Sequence, residues 1–492
     1  MAHDPRQIAR ERLDDEIGTV YKDAPERVAM VYPSPYRVGM SSLGFQQLYR
    51  LINETPGRVA ERAFLPDDVD AHRGTPLFTY ESGRPVGDYP VLGMSVAFEL
   101  EIPGVVHTLE LAGMAPLAED RRPRDPLVIM GGPLTFSNPL PLAPFADVIL
   151  MGEADETLTH ALDLVFEHGD KERIKRAIAD AIPSAFVPDL HGDLMPDIAK
   201  CNVDLLPAYG QIRTPNTELS NMFLLEAERG CHRQCAYCVM RRSTNGGMRL
   251  VKAPRVLELI PEDAKRVGLV GAAVSDHPKI CDIVETLADR GCEVGLSSLR
   301  PDRLNDRFVA ALKRGGYRTL TTASDGSSQR LRDMMQRKAR EKHLERAADL
   351  ARAHGMKRLK LYMMVGLPEE VDDDIDELIE MATRISKVIP LSLGIAPFVA
   401  KRNTPLDGHE FTGIKPVEAR LKRLRKGLRG RVDLRATSAR WAWVEWVLAQ
   451  GGRAEGRAAL AATYAGGSFR AYKKAFDALP STRPRRTLSV VA

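Results

Sequence analysis

The chain has few cysteines, with six in 492 residues. That number does not form a disulfide framework, so we expect a reducing, cytosolic compartment. The sequence also lacks any run of 18 or more apolar residues, which argues against a membrane-spanning helix. Its first residues, MAHDPRQIARERLDDEIG, have no apolar core of the kind a secretion signal needs. No repeat of solenoid period is present, so a repeat architecture is not expected.

Positive charge is concentrated at one end of the chain. Residues 406–492 carry 18 Lys/Arg against 7 Asp/Glu, a net charge of +11, and the remainder has a net charge of −7. This basic segment predicts either a nucleic-acid partner or a solvated basic face. All three tryptophans lie here, at Trp441, Trp443 and Trp446. They are expected either to stack on bases or to form the core of a small domain.

The first third of the chain alternates short apolar segments with helical patterns. Strands are predicted at 27–33, 91–98, 127–132 and 147–152. Strands that are apolar throughout predict a parallel sheet with helices on both faces. We therefore expect a doubly wound, Rossmann-like α/β domain at 25–195, after a helical extension at 1–24 and before a linker at 196–220.

A second alternation of strands and helices follows the linker. The predicted strands are 222–228, 267–274, 293–298, 317–323, 358–365 and 391–397. Helical stretches are predicted between them, at about 253–266, 278–291, 302–315, 327–354 and 369–388. Six β/α units predict a partial (β/α)6 barrel of the TIM type over 221–405, with its chemistry in the loops after the strands. The remaining residues, 406–492, are expected to form a small basic domain of α/β or α class.

Half of the cysteines lie in one short stretch, ERGCHRQCAYCVMRRS (228–243), directly after the first predicted barrel strand. Cys231, Cys235 and Cys238 offer three thiolates from one loop. Structural zinc sites usually have four ligands in two spaced pairs, and four-iron clusters usually take four thiolates. Three thiolates on such a cluster leave one iron open to another molecule. The neighbouring cationic side chains are expected to favour thiolates: Arg229, His232, Arg233, Arg241 and Arg242.

The spacing Cys-x3-Cys-x2-Cys, with Tyr237 before the last cysteine, resembles the signature of radical S-adenosylmethionine (radical SAM) enzymes. The resemblance implies that Cys231, Cys235 and Cys238 hold a [4Fe–4S] cluster whose fourth iron binds S-adenosylmethionine. It also implies reductive cleavage of that cofactor to a 5′-deoxyadenosyl radical, with an electron donor of flavodoxin or ferredoxin type. The likeness extends strand by strand over residues 220 to 400.

The same resemblance assigns a methionine-binding role to residues after the second and third strands. The family usually has a Glu after the second strand, but GAAVSDHP has none. Ser275 or Asp276 is therefore expected to receive the methionine amine. Ser298 and Arg300, in SSLRP, are expected to face the ribose and the carboxylate.

Residues after the later strands are assigned to the rest of S-adenosylmethionine. Tyr237 is expected to neighbour the adenine, and Gly366, in MMVGLPEE, would let the backbone approach it closely. Ser324, Asp325 and Ser328 are also assigned to the cofactor. Because they precede a helix, they are equally explained as ordinary N-caps.

Residues 25–195 resemble the cobalamin-binding-like domain that precedes many radical SAM cores, through GMSVAFEL, IMGGPLTF and LMGEADET. Such domains that ligate cobalt carry Asp-x-His-x-x-Gly after the first strand, where this chain has no histidine. His72, in DAHRGTP, is predicted to be a loop residue. Either cobalamin binds without a protein ligand to cobalt, or the domain keeps the fold without the cofactor. The positions expected to line a cobalamin pocket are Ser95, Gly131, Gly132 and Gly152.

The choice between these two interpretations decides the expected reaction. With cobalamin, the resemblance implies a transferase that methylates an unactivated carbon; without it, a radical rearrangement or other modification. A hypothesis from another class is a non-catalytic iron–sulfur, zinc or nucleic-acid-binding protein. No motif in the sequence selects the substrate.

Overall fold

The structure is a computed structural model that describes residues 4–240 and 247–480. It is a mixed α/β fold with parallel sheets, as the sequence predicts. Its contacts divide the chain into two units, Met1–Phe223 with Val447–Ala492, and Leu224–Trp446. Among the described residues, no helix has both the length and the apolar character needed to cross a membrane.

The first unit contains a six-stranded sheet with the order β2-β1-β3-β4-β5-β6. The strands are β1 Glu26–Pro35, β2 Arg58–Leu65, β3 Val91–Ser95, β4 Leu127–Gly131, β5 Val148–Leu150 and β6 Ala185–Phe186. Strands β1 to β5 are parallel, and β6 pairs with β5 in the antiparallel direction. All four predicted strands of this region are present. Their carboxyl ends share one edge of the sheet, where Ser95, Gly131 and Gly152 lie.

Nine helices are described in this unit. They are Pro5–Asp14, Tyr36–Gly39, Leu43–Glu54, Ile102–Leu111, Thr157–Glu167, Lys171–Ala181, Pro188–His191, Arg453–Tyr464 and Phe469–Asp477. The helix Leu43–Glu54 begins where the Ser42 hydroxyl accepts a hydrogen bond from the Phe45 amide at 3.4 Å. Phe45 and Tyr49 on that helix pack against strand residues such as Met30 in the core. The sheet and helices thus share one hydrophobic core.

The sequence pattern does not reveal β2, because its RVAERAFL contains charged residues that break an apolar run. All eight of its side chains are nevertheless buried. Arg62 is fully buried and donates to Glu16 at 2.7 and 2.9 Å and to Glu81 at 2.6 Å. Two carboxylates therefore hold one guanidinium inside the unit, and the Tyr36 hydroxyl also donates to Glu16.

The second unit contains three groups of strands. A three-stranded sheet has the order β11-β10-β7, a four-stranded sheet the order β12-β13-β14-β15, and β8 pairs with β9 as an antiparallel hairpin. The strands are β7 Met222–Glu226, β8 Glu228–Gly230, β9 Met248–Leu250, β10 Arg266–Val270, β11 Glu293–Leu296, β12 Thr319–Asp325, β13 Arg358–Val365, β14 Leu391–Pro397 and β15 Val432–Ala436. All six predicted strands are present. β15 pairs with β14 in the parallel direction, although it lies in the region predicted as a separate basic domain.

Helices follow these strands in the order expected for β/α units. They are Ala253–Leu259, Ile280–Asp289, Asp306–Arg314, Gln329–Met334, Glu341–Ala353, Asp372–Val388, Ile414–Gly427 and Ala439–Gln450. The predicted single helix over 327–354 is wrong. The chain leaves the helix after Met334, and Gln336 and Lys338 adopt positive φ angles of 55° and 57°. The interruption places Arg337 in the cavity described below.

The division between the units falls at different positions from the predicted domain boundaries. It lies within β7 and within the helix Ala439–Gln450. Trp446, on that helix, donates to the His409 carbonyl at 2.9 Å and packs against a cluster containing Phe398. The predicted boundaries, and a nucleic-acid role for the basic segment, stay predictions.

Replacement of Arg62 by Met is expected to destabilise the protein by about 3–5 kcal/mol, because it leaves two buried carboxylates without a cation. Arg73→Met is the matched control. Its ion pair with Asp70 has side-chain exposures of 70% and 79%, so the loss should be about 0–1 kcal/mol. Urea denaturation followed by circular dichroism measures both. Equal midpoints for the two variants would contradict the structural role of Arg62.

Candidate active site

The three clustered cysteines line one cavity of about 530 Å³ in the second unit. They lie on the loop that begins after β8. Cys235 is buried, whereas Cys231 and Cys238 are half-buried. The Cys238 amide donates to the Cys235 carbonyl at 3.2 Å, and the Arg233 amide donates to the Cys231 Sγ at 3.4 Å. A compact loop thus brings three thiols to one cavity, as the sequence predicts.

The surroundings of the thiols differ from the expectation that basic residues would favour thiolates. Burial raises the pKa of the Cys231 thiol and raises that of Cys238 to about 11, with the neighbouring cysteines adding to both shifts. Arg229 and Arg233 do not offset burial because each is engaged by a carboxylate, Glu226 at 2.7 Å and an aspartate at 2.7 Å respectively. Arg241 and Arg242 lie outside the described residues.

The donor set fits an iron–sulfur cluster better than one metal ion. Within residues 4–240 and 247–480, no trio of His, Cys, Asp or Glu is placed to hold a single ion. A cubane cluster binds its thiolates through different irons, so its ligands lie farther apart than those of one zinc ion. Three thiols spread around one cavity agree with that requirement.

A hydrogen-bonded trio lies beside the cysteines on the cavity wall. The Tyr237 hydroxyl donates to the Asp325 carboxylate at 2.9 Å, and Arg337 forms an ion pair with the same carboxylate. Asp325 has a φ of 65°, a conformation that non-glycine residues adopt rarely. Burial and the adjacent carboxylate raise the pKa of Tyr237, so its phenol stays protonated. The sequence pattern missed Arg337, because its position depends on the break in the predicted helix.

The residues predicted to bind the methionine end have different environments. Ser298 and Arg300 line the cavity, whereas Ser275 and Asp276 are not among its lining residues. Ser275 Oγ accepts from the Arg300 amide at 3.0 Å. Asp276 accepts from Arg233 at 2.7 and 2.8 Å and from a neighbouring arginine, Arg303, at 2.7 Å.

These contacts decide the charge state of Asp276. Burial opposes its negative charge, but the hydrogen bonds from Arg233 and Arg303 outweigh burial and lower the pKa of Asp276 to about 2. Its carboxylate is therefore ionised and already neutralised by the protein. An ammonium group from a ligand would compete with two guanidinium groups for it.

Three other predicted cofactor residues have structural roles here. Ser324 is fully buried and donates to the Gly326 carbonyl at 2.9 Å. Ser328 caps the next helix by accepting from the Leu331 amide at 3.2 Å. The Gly366 amide donates to a buried carboxylate, Glu370, at 2.5 Å. None of Ser324, Ser328 and Gly366 is among the residues that line the cavity, and their cofactor roles stay predictions.

Glu228 is a candidate that sequence reasoning missed. It is fully buried, and its Oε1 accepts from the Ala273 amide at 2.7 Å. Its Oε2 has no hydrogen-bond partner among the described residues, and burial raises its pKa to about 7. A Cβ on Gly271 would lie 2.2 Å from Oε1, so only glycine leaves room for this carboxylate. The sequence feature that could have identified Glu228 is its position three residues before Cys231.

The positions predicted for cobalamin lie in the first unit, and the chain itself fills the space beside two of them, Gly132 and Gly152. Gly132 has a φ of 103°, and a Cβ there would lie 2.6 Å from the Val96 carbonyl oxygen and 3.0 Å from Ser95 Oγ. Gly152 has a φ of 97°, and its Cβ would lie 2.6 Å from the Ala199 backbone. Gly131 is half-buried at the end of β4. The cobalamin roles of Ser95, Gly131, Gly132 and Gly152 stay predictions.

Comparison with protein families defines the class of protein. Residues 226–382 match the radical SAM superfamily model, and residues 44–188 match the model of the N-terminal region of radical SAM proteins. The chain belongs to the radical SAM superfamily of enzymes. Membership implies a [4Fe–4S] cluster, S-adenosylmethionine and a source of electrons.

A curated relative is an uncharacterized protein of Methanocaldococcus jannaschii, which is 26% identical over 422 residues, 81% of this chain and 84% of the relative. Among solved structures, the cobalamin-dependent S-adenosylmethionine radical enzyme OxsB is similar. With aqua-cobalamin and S-adenosylmethionine bound, it has a TM-score of 0.51 and 13% identity, covering 82% of this chain and 56% of that one. The structure of OxsB with aqua-cobalamin alone has a TM-score of 0.51 and 13% identity, and the match covers 74% of this chain and 53% of OxsB. The chain thus spans little more than half the length of OxsB, and the likeness shows the fold alone.

Proposed function

We propose that this chain reductively cleaves S-adenosylmethionine at a [4Fe–4S] cluster held by Cys231, Cys235 and Cys238. The observation that carries the proposal is the meeting of these three thiols, and of Tyr237, Ser298 and Arg300, at one cavity. When bound, the cluster supplies the electron and the open iron that this cleavage needs. The protein's residues bind and orient the cofactor and shield the reacting atoms.

The strand orders support a finer proposal for the fold. The order β2-β1-β3-β4-β5 is that of a doubly wound domain with its switch point between β1 and β3. The strands β7 and β10 to β14 supply the six β/α units of a partial barrel. In such barrels, the loops after the strands form the active site. The cysteine loop lies in the segment between β7 and β10 and begins directly after β8.

We assign the methionine ammonium of S-adenosylmethionine to Glu228 in place of Asp276. Asp276 already has arginine partners, whereas Oε2 of Glu228 has none among the described residues. An ammonium group would supply the missing partner and stabilise the ionised carboxylate. The pKa of Glu228, raised to about 7, means that its carboxyl becomes neutral as the pH falls below that value. Binding through this group should therefore weaken at lower pH.

Replacing each of the cluster cysteines with Ala should abolish both iron binding and cofactor cleavage. The reconstituted wild type should contain about four irons per chain and release 5′-deoxyadenosine when reduced with dithionite. Iron and sulfide assays and chromatography of the products measure the two effects. Cys281→Ala, on the helix Ile280–Asp289, is the control and should retain both. Bound iron without any cleavage product under several reductants would support the non-catalytic alternative.

Glu228→Gln should weaken binding of S-adenosylmethionine by roughly 10- to 100-fold, as expected for losing a charged hydrogen bond. Asp276→Asn is the matched control and should change it little. 5′-Methylthioadenosine, which lacks the amino-acid part, should bind both variants and the wild type equally. Equilibrium dialysis of reconstituted protein between pH 6 and 8 tests this, and Glu228→Gln should also lose the pH dependence. A larger effect of Asp276→Asn would return the role to Asp276.

We further propose that the N-terminal domain acts without cobalamin, because the chain fills the space beside Gly132 and Gly152. The reaction would then be a radical rearrangement or other modification. The visible spectrum after incubation with hydroxocobalamin and gel filtration should show no retained cofactor. Stoichiometric retention would contradict this proposal and favour methyl transfer to an unactivated carbon.

A further inference from the structure

The inner face of β13 carries a large exposed aromatic side chain. Side chains alternate along this strand, and Leu359, Leu361 and Met363 are buried, whereas Tyr362 is 46% exposed. Tyr362 lines the same cavity as the three cysteines. Because core packing does not account for an exposed ring, its place in the cavity calls for another explanation.

Gly394 fixes the orientation of this ring. Tyr362 pairs with Gly394 on the neighbouring strand β14. A Cβ at position 394 would lie 2.7 and 2.8 Å from two ring carbons of Tyr362. Because real Cβ atoms do not approach so closely, only glycine allows the ring to lie against β14. Glycine inside a strand often marks such a close approach.

An amino group with no carboxylate partner lies beside the ring. Lys360 is two residues before Tyr362, on the same face of β13. Its Nζ donates to the Tyr362 hydroxyl at 2.7 Å and lies 4.6 Å from the ring centroid. Within the part of the chain that the structure describes, Lys360 forms no ion pair.

The cavity's arginines differ from Lys360 in this respect. Arg233, Arg300 and Arg337 each have an aspartate within ion-pair distance. Their charges are therefore compensated inside the protein. Lys360 has no such compensation, so an anionic group on a ligand would meet it without displacing a carboxylate.

We propose that Tyr362, Gly394 and Lys360 form a substrate subsite for a planar conjugated ring that bears an anionic group. The ring of the substrate packs against the exposed part of the Tyr362 side chain, and its anionic group pairs with Lys360. This subsite rests on the proposed function only in that it places the substrate in the cavity of the cluster cysteines. An aliphatic anion would contact only Lys360, and an uncharged ring would contact only Tyr362.

The subsite can be tested with 2-naphthoate as the probe on the reconstituted full chain. Two matched probes each lack one recognised feature: decahydronaphthalene-2-carboxylate is not planar, and naphthalene-2-carboxamide is not charged. Saturation-transfer NMR titrations give each dissociation constant. In the wild type, 2-naphthoate should bind at least about tenfold more tightly than either, a difference of about 1.4 kcal/mol.

The variants separate the parts of the subsite. Tyr362→Leu should remove the preference for the planar probe over its saturated analogue. Lys360→Met should remove the preference for the charged probe over the amide. Gly394→Ala keeps the tyrosine but displaces its ring. It should therefore weaken the binding of 2-naphthoate as much as Tyr362→Leu does. Tyr464→Leu, at another exposed tyrosine (59%), is the control and should change nothing. Circular dichroism verifies that each variant is folded.

Several results would overturn the proposal. If Tyr362→Leu weakens the binding of S-adenosylmethionine in equilibrium dialysis, the tyrosine ring belongs to the cofactor site, because adenine is also planar. If the saturated carboxylate binds the wild type as tightly as 2-naphthoate, the cavity recognises charge alone. Failure of the proposed function is visible separately in the same sample, as missing iron or missing S-adenosylmethionine binding in the wild type.

Discussion

Arg62 has no contact with solvent, and two carboxylates hold its charge in the interior of the first unit. A buried charge without a partner costs several kcal/mol, so such charges are paired wherever the fold allows it. The second unit obeys the same constraint at Asp276 and at Asp325. Lys360 and Oε2 of Glu228 depart from it, since neither has a charged partner among the described residues. Each contacts a residue that lines the cysteine cavity, Tyr362 for Lys360 and Ala273 for Glu228, so a ligand bound there would lie near both.

Hydrophobic pattern was sufficient to predict most of the architecture. Every strand with an apolar core appears near its predicted position, because burial on both faces leaves a continuous apolar run. β2 was missed because its two arginines and its glutamate are buried through partners far away in sequence, which no local pattern reveals. The break after Met334 was missed for a related reason. Residues 335–340 have helical composition, but Gln336 and Lys338 adopt positive φ angles that depend on tertiary contacts.

The candidate site was predictable to the extent that its residues come from one loop. Cys231, Cys235 and Cys238 are neighbours in the chain, so their spacing alone brought them together. The roles of residues at separate strand ends could not be predicted from the sequence in the same way, because a side chain's role depends on the hydrogen bonds it already makes. Ser324 and Ser328 satisfy backbone groups, and the resemblance to a family could not show that. Glu228 became visible only when its burial and its unpaired oxygen were known.

The contact between Tyr362 and Gly394 has an evolutionary consequence. A relative with any side chain at position 394 has no room for a ring lying across β14, so the two positions must change together. Their joint identity can therefore sort members of the superfamily into groups with and without this ring, from sequence alone. A group that shares both residues would be the natural set in which to compare gene neighbourhoods for a common aromatic metabolite.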